Sequence, residues 1–162
     1  MPKRKTNRQL KEKYFPNGCD VCTATIGDIR IANDKTIYGR RWSKSKKKYW
    51  LCEKCKSYVG CHKVGRRPYG ALANKEVRKL RKQAHEVFDA IWQYYIYSGR
   101  KTHKDARNSA YGWLASQMNL SKENCHIGKF NEENCRRVIE ICLFAYMKSK
   151  KLKRFYNYHR IK

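Results

Sequence analysis

The sequence predicts an α+β protein, a small cysteine-braced β module followed by about three packed helices. Three observations predict it. Two Cys-x-x-Cys pairs, Cys19/Cys22 and Cys52/Cys55, bracket short β-like runs. After a Gly- and Pro-punctuated segment at 65–72, apolar residues recur at three- and four-residue steps. A chain of 162 residues has room for one domain, or for a small module joined to a modest helical one.

In chain order, residues 1–14 are basic and poor in apolar side chains and read as a flexible arm. Residues 15–62 form the four-cysteine module, with β-like runs IRIA at 29–32, TIYG at 36–39 and YWLC at 49–52. Between the last two runs, RRWSKSKKK at 40–48 holds six basic residues and no acid, so it reads as a solvated loop. The helical region is 63–147. Its first helix follows Asn74 as N-cap, with Val77, Leu80, Ala84, Val87, Phe88, Ile91 and Tyr95 on one face and Lys75, Arg78, Lys79 and Lys82 on the other. A second helix fits about 105–119, with Ala106, Ala110, Trp113 and Leu114 on one side. Asn131 caps a third, whose apolar face is Cys135, Val138, Ile139, Cys142 and Tyr146. Residues 148–162 are a basic, aromatic tail.

Two Cys-x-x-Cys turns each present a pair of thiolates, and four thiolates around one ion is the ligand set of a closed, structural zinc site. Cys19, Cys22, Cys52 and Cys55 are therefore the expected ligands of one Zn2+, which makes the module zinc-ribbon-like. A core this small gains from such a staple. Cys61 and His62 are then left over, and Cys135 and Cys142, at helical spacing, read as core thiols. The charged N-terminus has no signal-peptide order, and no apolar run is long enough to span a bilayer, so the expectation is a reducing, cytoplasmic setting and no membrane.

Lys and Arg number 39 against 13 Asp and Glu, a formal net charge of +26. The excess is segregated: 1–13 carries +5, 40–48 carries +6, and 63–82 and 148–162 carry +7 each. The rest of the chain is nearly neutral. Clustered Lys and Arg are the footprint of nucleic-acid binding, in which each phosphate contact releases counterions. The expected contacts are Arg40, Arg41, Lys46, Lys47, Lys48, Arg66, Arg67, Lys75, Arg78, Lys79, Lys82, Lys151, Lys153 and Arg154, tracking the backbone of DNA or RNA. Aromatics in or beside these pieces (Tyr14, Phe15, Trp42, Tyr49, Trp50, Tyr69, Phe155, Tyr156, Tyr158) either stack on unpaired bases or belong to the core.

Several local patterns together resemble one family. They are YG at 38–39, WLCEKC at 50–55, YVGCH at 58–62, RPYGALA at 67–73, LRKQAHEVFDAIW at 80–92, AYGWLA at 110–115, CHIGKF at 125–130 and CRRVI at 135–139. In order and spacing these resemble a zinc-finger-containing domain found largely in bacteriophage and prophage genes. The resemblance implies zinc on the four cysteines, and it draws attention to His62, His85, Asp89 and His126, which lie inside matching stretches. The loop between the cysteine pairs is more basic than that family's pattern.

Two alternatives stand beside nucleic-acid binding. A phage accessory protein would bind and modulate a host protein with an acidic surface, in the host cytoplasm. A metal-dependent nuclease would use His62, His85, Asp89 and His126, since Arg81, His85 and Asp89 fall at steps of four and place a histidine beside a carboxylate on one helix face. No paired carboxylates for magnesium accompany them, and the enzyme reading ranks below binding.

Overall fold

A computed structural model describes residues 5–39 and 47–160. The chain divides into two compact units, Met1–Glu76 and Val77–Lys162. Each has its own apolar cluster.

The first unit is built on a three-stranded antiparallel sheet in the order β1 (Ile29–Asn33), β2 (Lys48–Cys52), β3 (Tyr58–Gly60). Pairing of Ile31 with Trp50, and of Trp50 with Val59, sets the register. The central strand is covered on both faces, because successive side chains alternate and each side finds a partner. On one side Trp50 is fully buried, with Phe15 edge-on at 5.4 Å and its indole N–H donating to the Arg66 carbonyl at 2.9 Å. On the other, the Tyr49 hydroxyl donates to buried Asp34 at 2.7 Å, and the rings of Tyr38, Tyr49 and Tyr58 meet edge to face. After β3 the chain runs back along it through bridges Cys61 to Pro68 and Tyr58 to Ala73.

Two expectations for this unit are corrected. The segment taken for a flexible arm is helical over α1 (Asn7–Tyr14). Thr6 and Gln9 form a reciprocal capping box, and Leu10 and Phe15 are buried, so a few apolar anchors outweigh the basic composition around them. The TIYG run is not a strand but the end of the short helix α2 (Asp34–Tyr38). The Asn33 side chain accepts from the Thr36 N–H, which starts a turn that β propensity alone does not foresee, and Gly39 at φ 78° ends it.

The second unit is helical: α3 (Lys75–Tyr97, whose first residues belong to the first unit), α4 (His103–Met118), α5 (Glu132–Lys148) and α6 (Lys150–Arg160). The expected three helices are present, with α4 starting earlier than foreseen because Thr102, not a residue near 105, caps it. Asn131 caps α5 by accepting from the Asn134 N–H at 2.9 Å. Phe88, Leu114, Ile127, Cys135, Val138 and Cys142 are fully buried in the shared core. The tail, expected as a basic appendage, forms the fourth helix. Leu152 is buried, the Tyr156 ring stacks on Tyr146 at 4.5 Å, and Phe155 lies against Tyr94 and Tyr97. No described helix is long and apolar enough to cross a membrane.

Trp50→Ala should lower the unfolding free energy of the first unit by ~3–5 kcal/mol, the usual loss for a buried aromatic. Tyr158→Ala, at a ring 60% exposed, should cost under ~0.5 kcal/mol. Urea denaturation of the two variants measures the contrast.

Candidate metal centre

The strand β2 delivers Cys52 at its last position, and the turn after it delivers Cys55. That turn is closed by the Lys56 N–H donating to the Cys52 carbonyl at 3.0 Å and the Cys52 N–H donating to the Ser57 carbonyl at 2.9 Å, with Lys56 at φ 58°. The other pair comes from the loop after α1. There Gly18 adopts φ 82°, and a Cβ on it would lie 2.2 Å from the Ala24 carbonyl oxygen. Only glycine permits that approach, and the Cys19 N–H then donates to the same carbonyl at 3.0 Å.

The four sulfurs converge. Cys19 Sγ and Cys55 Sγ are 3.6 Å apart, Cys22 Sγ and Cys52 Sγ are 3.8 Å apart, and all four lie within 4.8 Å of one another. A tetrahedral zinc with bonds of about 2.3 Å requires sulfur–sulfur edges of about 3.8 Å, so the donor set fits the ion in type and in spacing. Cys19 and Cys52 are buried and Cys22 and Cys55 half-buried, a closed arrangement that suits a structural role.

Electrostatics explain why a cation belongs here. Burial pushes the Cys19 thiol up to about 12, with the neighbouring cysteines adding to the effect. At Cys55 burial acts in the same sense, but the Ser57 hydroxyl and backbone N–H, with Cys22 and Cys19, outweigh it and bring the thiol down to about 7. Ser57, which follows Cys55 by two residues, is fully buried. Four thiolates this close repel one another, and a divalent ion makes them compatible.

This is the one group of metal-ligating side chains among the described residues. Cys61 is buried and its thiol donates to the Lys48 carbonyl at 3.2 Å, while His62 Nε2 sits 3.2 Å from the Arg67 guanidinium and its ring 4.5 Å from that of Tyr69. His62 belongs to the first unit; His85, Asp89 and His126 belong to the second. There, His85 Nδ1 is 3.9 Å from Asp89 Oδ1, and the same oxygen accepts from the Trp92 indole at 2.9 Å. Sequence reasoning missed Ser57 and Gly18, whose roles depend on neighbours the pattern does not name.

Of the expected nucleic-acid contacts, Arg40, Arg41 and Lys46 lie outside the described residues, as does Trp42. Lys47, Lys48, Arg67 and Lys75 are exposed on the first unit, and Lys79, Lys82, Lys151, Lys153 and Arg154 on the second. Arg66 and Arg78 are half-buried. Arg66 donates to the Asn7 side chain, so it also braces α1, and Lys82 lies 3.7 Å from Glu86.

Cys52→Ser should abolish stoichiometric zinc and unfold the first unit, read as zinc released per chain and as lost near-ultraviolet signal from Trp50. Gly18→Ala should destabilise that unit by at least ~1 kcal/mol through its left-handed backbone alone, seen as a lower midpoint in denaturant.

No curated protein and no solved structure matches this chain. A family model does, described as a zinc-finger-containing domain and covering residues 16–143, all four cysteines included. The match spans most of the chain, and the protein belongs to the zinc-finger-containing domain family.

Proposed function

We propose that the protein binds nucleic acid, chiefly through the phosphate backbone, and that zinc serves the fold of the first unit. The observation that carries this reading is where the charge lies. The first unit holds 20 of the 39 Lys and Arg with 6 of the 13 Asp and Glu, so each unit is strongly basic by itself. Both cores are apolar, and most of the described Lys and Arg are on the surface. Ion pairs with the few acids are exposed and remove only a small part of that charge. A surface of this kind repels itself and gains from a polyanion that displaces its counterions.

Base stacking has a smaller part than the sequence invites. Phe15, Tyr49 and Trp50 are core residues, and Tyr156 is engaged with Tyr146. Among the described aromatics named above, Tyr69 and Tyr158 are the more exposed, at 55% and 60%. Affinity is therefore expected to depend on charge more than on sequence.

Titration of fluorescent single-stranded DNA, duplex DNA and structured RNA with the zinc-loaded protein across a salt series tests the proposal. Affinity should fall steeply with salt for all three. The triple variant Lys151→Gln, Lys153→Gln, Arg154→Gln should weaken them alike and reduce the salt slope by about 2–3. Negligible binding at physiological salt would overturn the reading and direct the search to a protein partner with an acidic surface.

A further inference from the structure

A cavity of about 570 Å3 lies among α3, α4, α5 and α6, wholly within the second unit. That volume is in the ~300–1,000 Å3 range of small-molecule sites. The space exists because the helices present short side chains to it: Ala106 and Ala110, one turn apart on α4, and Ala145 on α5. Rings complete the lining, Tyr94 and Tyr95 from α3, Trp113 from α4 and Phe144 from α5. Tyr95 and Phe144 are exposed as well as lining, so the cavity opens to solvent.

Two lysines stand at this cavity, each tied to its lining by a direct contact. Lys101, in the turn between α3 and α4, is a lining residue whose ammonium donates to the hydroxyl of another, Ser109, at 2.8 Å. Lys148, at the end of α5, lines it too, with Nζ 4.4 Å from the centre of the Phe144 ring. Both lysines are exposed, and an ammonium has three donors, so each keeps capacity for an anion. No described Asp or Glu lines the cavity. Asp105, the acid nearest Lys101 in the chain, accepts from the Thr102 hydroxyl at 2.7 Å as part of the α4 cap. Arg100 and Lys104 flank the first lysine in sequence, and Lys150 and Lys151 follow the second. An aromatic interior thus meets a cationic rim.

We propose that this cavity takes one unpaired nucleotide, its base among the rings of Tyr94, Tyr95, Trp113 and Phe144 and its phosphate at Lys101 and Lys148. A base is flat and stacks on aromatic faces, which a fatty chain does not require. Gln117 and Ser109, on the same lining, supply hydrogen-bonding groups for base edges. A second copy of the chain is a poor occupant, because the unit carries 19 Lys and Arg against 7 Asp and Glu and would meet like charge. A base inside a duplex cannot enter, since it is stacked and paired. The biological use of the site rests on the nucleic-acid reading and adds to it a preference for single strands. The dispersed lysines attract any polyanion, and the cavity holds one base of a strand whose bases are open.

The test uses the zinc-loaded full chain. Thymidine monophosphate, thymidine, myristate and an oligothymidylate are titrated separately while the Trp113 indole N–H signal is followed by NMR. Anisotropy of the fluorescent oligothymidylate is compared with that of its duplex. Thymidine monophosphate and the oligothymidylate should move the Trp113 signal saturably, thymidine more weakly and myristate not at all. Ala145→Leu fills the cavity without touching charge; it should weaken the single strand about tenfold and leave the duplex unchanged, with retained helical circular dichroism as the check on folding. Phe144→Ala, at an exposed ring, removes one wall and should show the same contrast. Lys101→Gln with Lys148→Gln should weaken thymidine monophosphate about tenfold and thymidine little. A response to the strand alone assigns the cavity to a nucleotide within a chain, and one to the monophosphate alone to a free nucleotide. A Trp113 signal that no nucleotide moves, a myristate response in place of a nucleotide one, or folded cavity variants that bind the single strand as the parent does overturn the proposal. Failure of the broader reading looks different, since oligonucleotides would then show no salt-dependent affinity while thymidine monophosphate still moved Trp113.

Discussion

Convergence of four cysteine sulfurs is the constraint on which the first unit depends. Cys52 ends the central strand and Cys19 follows the Gly18 turn, so the point at which the sulfurs meet fixes the loop after α1 to the end of that strand. Cys19 and Cys52 belong to the same apolar cluster as Phe15, Ile29, Trp50 and Leu72. Metal binding and core packing are thus one event: a unit with so few large apolar residues orders its loops by ligation as much as by burial.

That dependence bears on the charge. A small unit carrying a large excess of Lys and Arg is destabilised by self-repulsion, and its hydrophobic core offers limited compensation. A zinc staple acts through coordination bonds at a closed site and is insensitive to the surface charge around it. The fold can therefore carry a polyanion-seeking surface without spending core residues on it.

Legibility in the sequence followed the range of the interactions involved. The cysteine pairs were readable because a Cys-x-x-Cys turn is a local device whose spacing states its purpose. The long helices were readable because their apolar period repeats over several turns, and Asn131 because an N-cap acts within three residues. Short elements were not. Helix α2 is decided by the Asn33 side chain against the β propensity of its neighbours, and α1 by two anchors, Leu10 and Phe15, whose partners come from elsewhere in the unit. The tail helix α6 exists because Leu152 and Tyr156 find the core of the second unit, which composition dominated by Lys and Arg conceals.

By itself the sequence determined the metal ligands, the α+β class, the helical faces and the excess of positive charge, all of which follow from residue type and short-range spacing. Tertiary structure decided which aromatics are core and which are exposed, since Trp50 and Tyr69 are equally plausible stacking rings until the fold buries one and leaves the other at the surface. It also decided that His85, Asp89 and His126 belong to one unit and His62 to another. The physical reason is the same in both cases: burial and proximity are properties of what folds against a residue, and no local spacing records them.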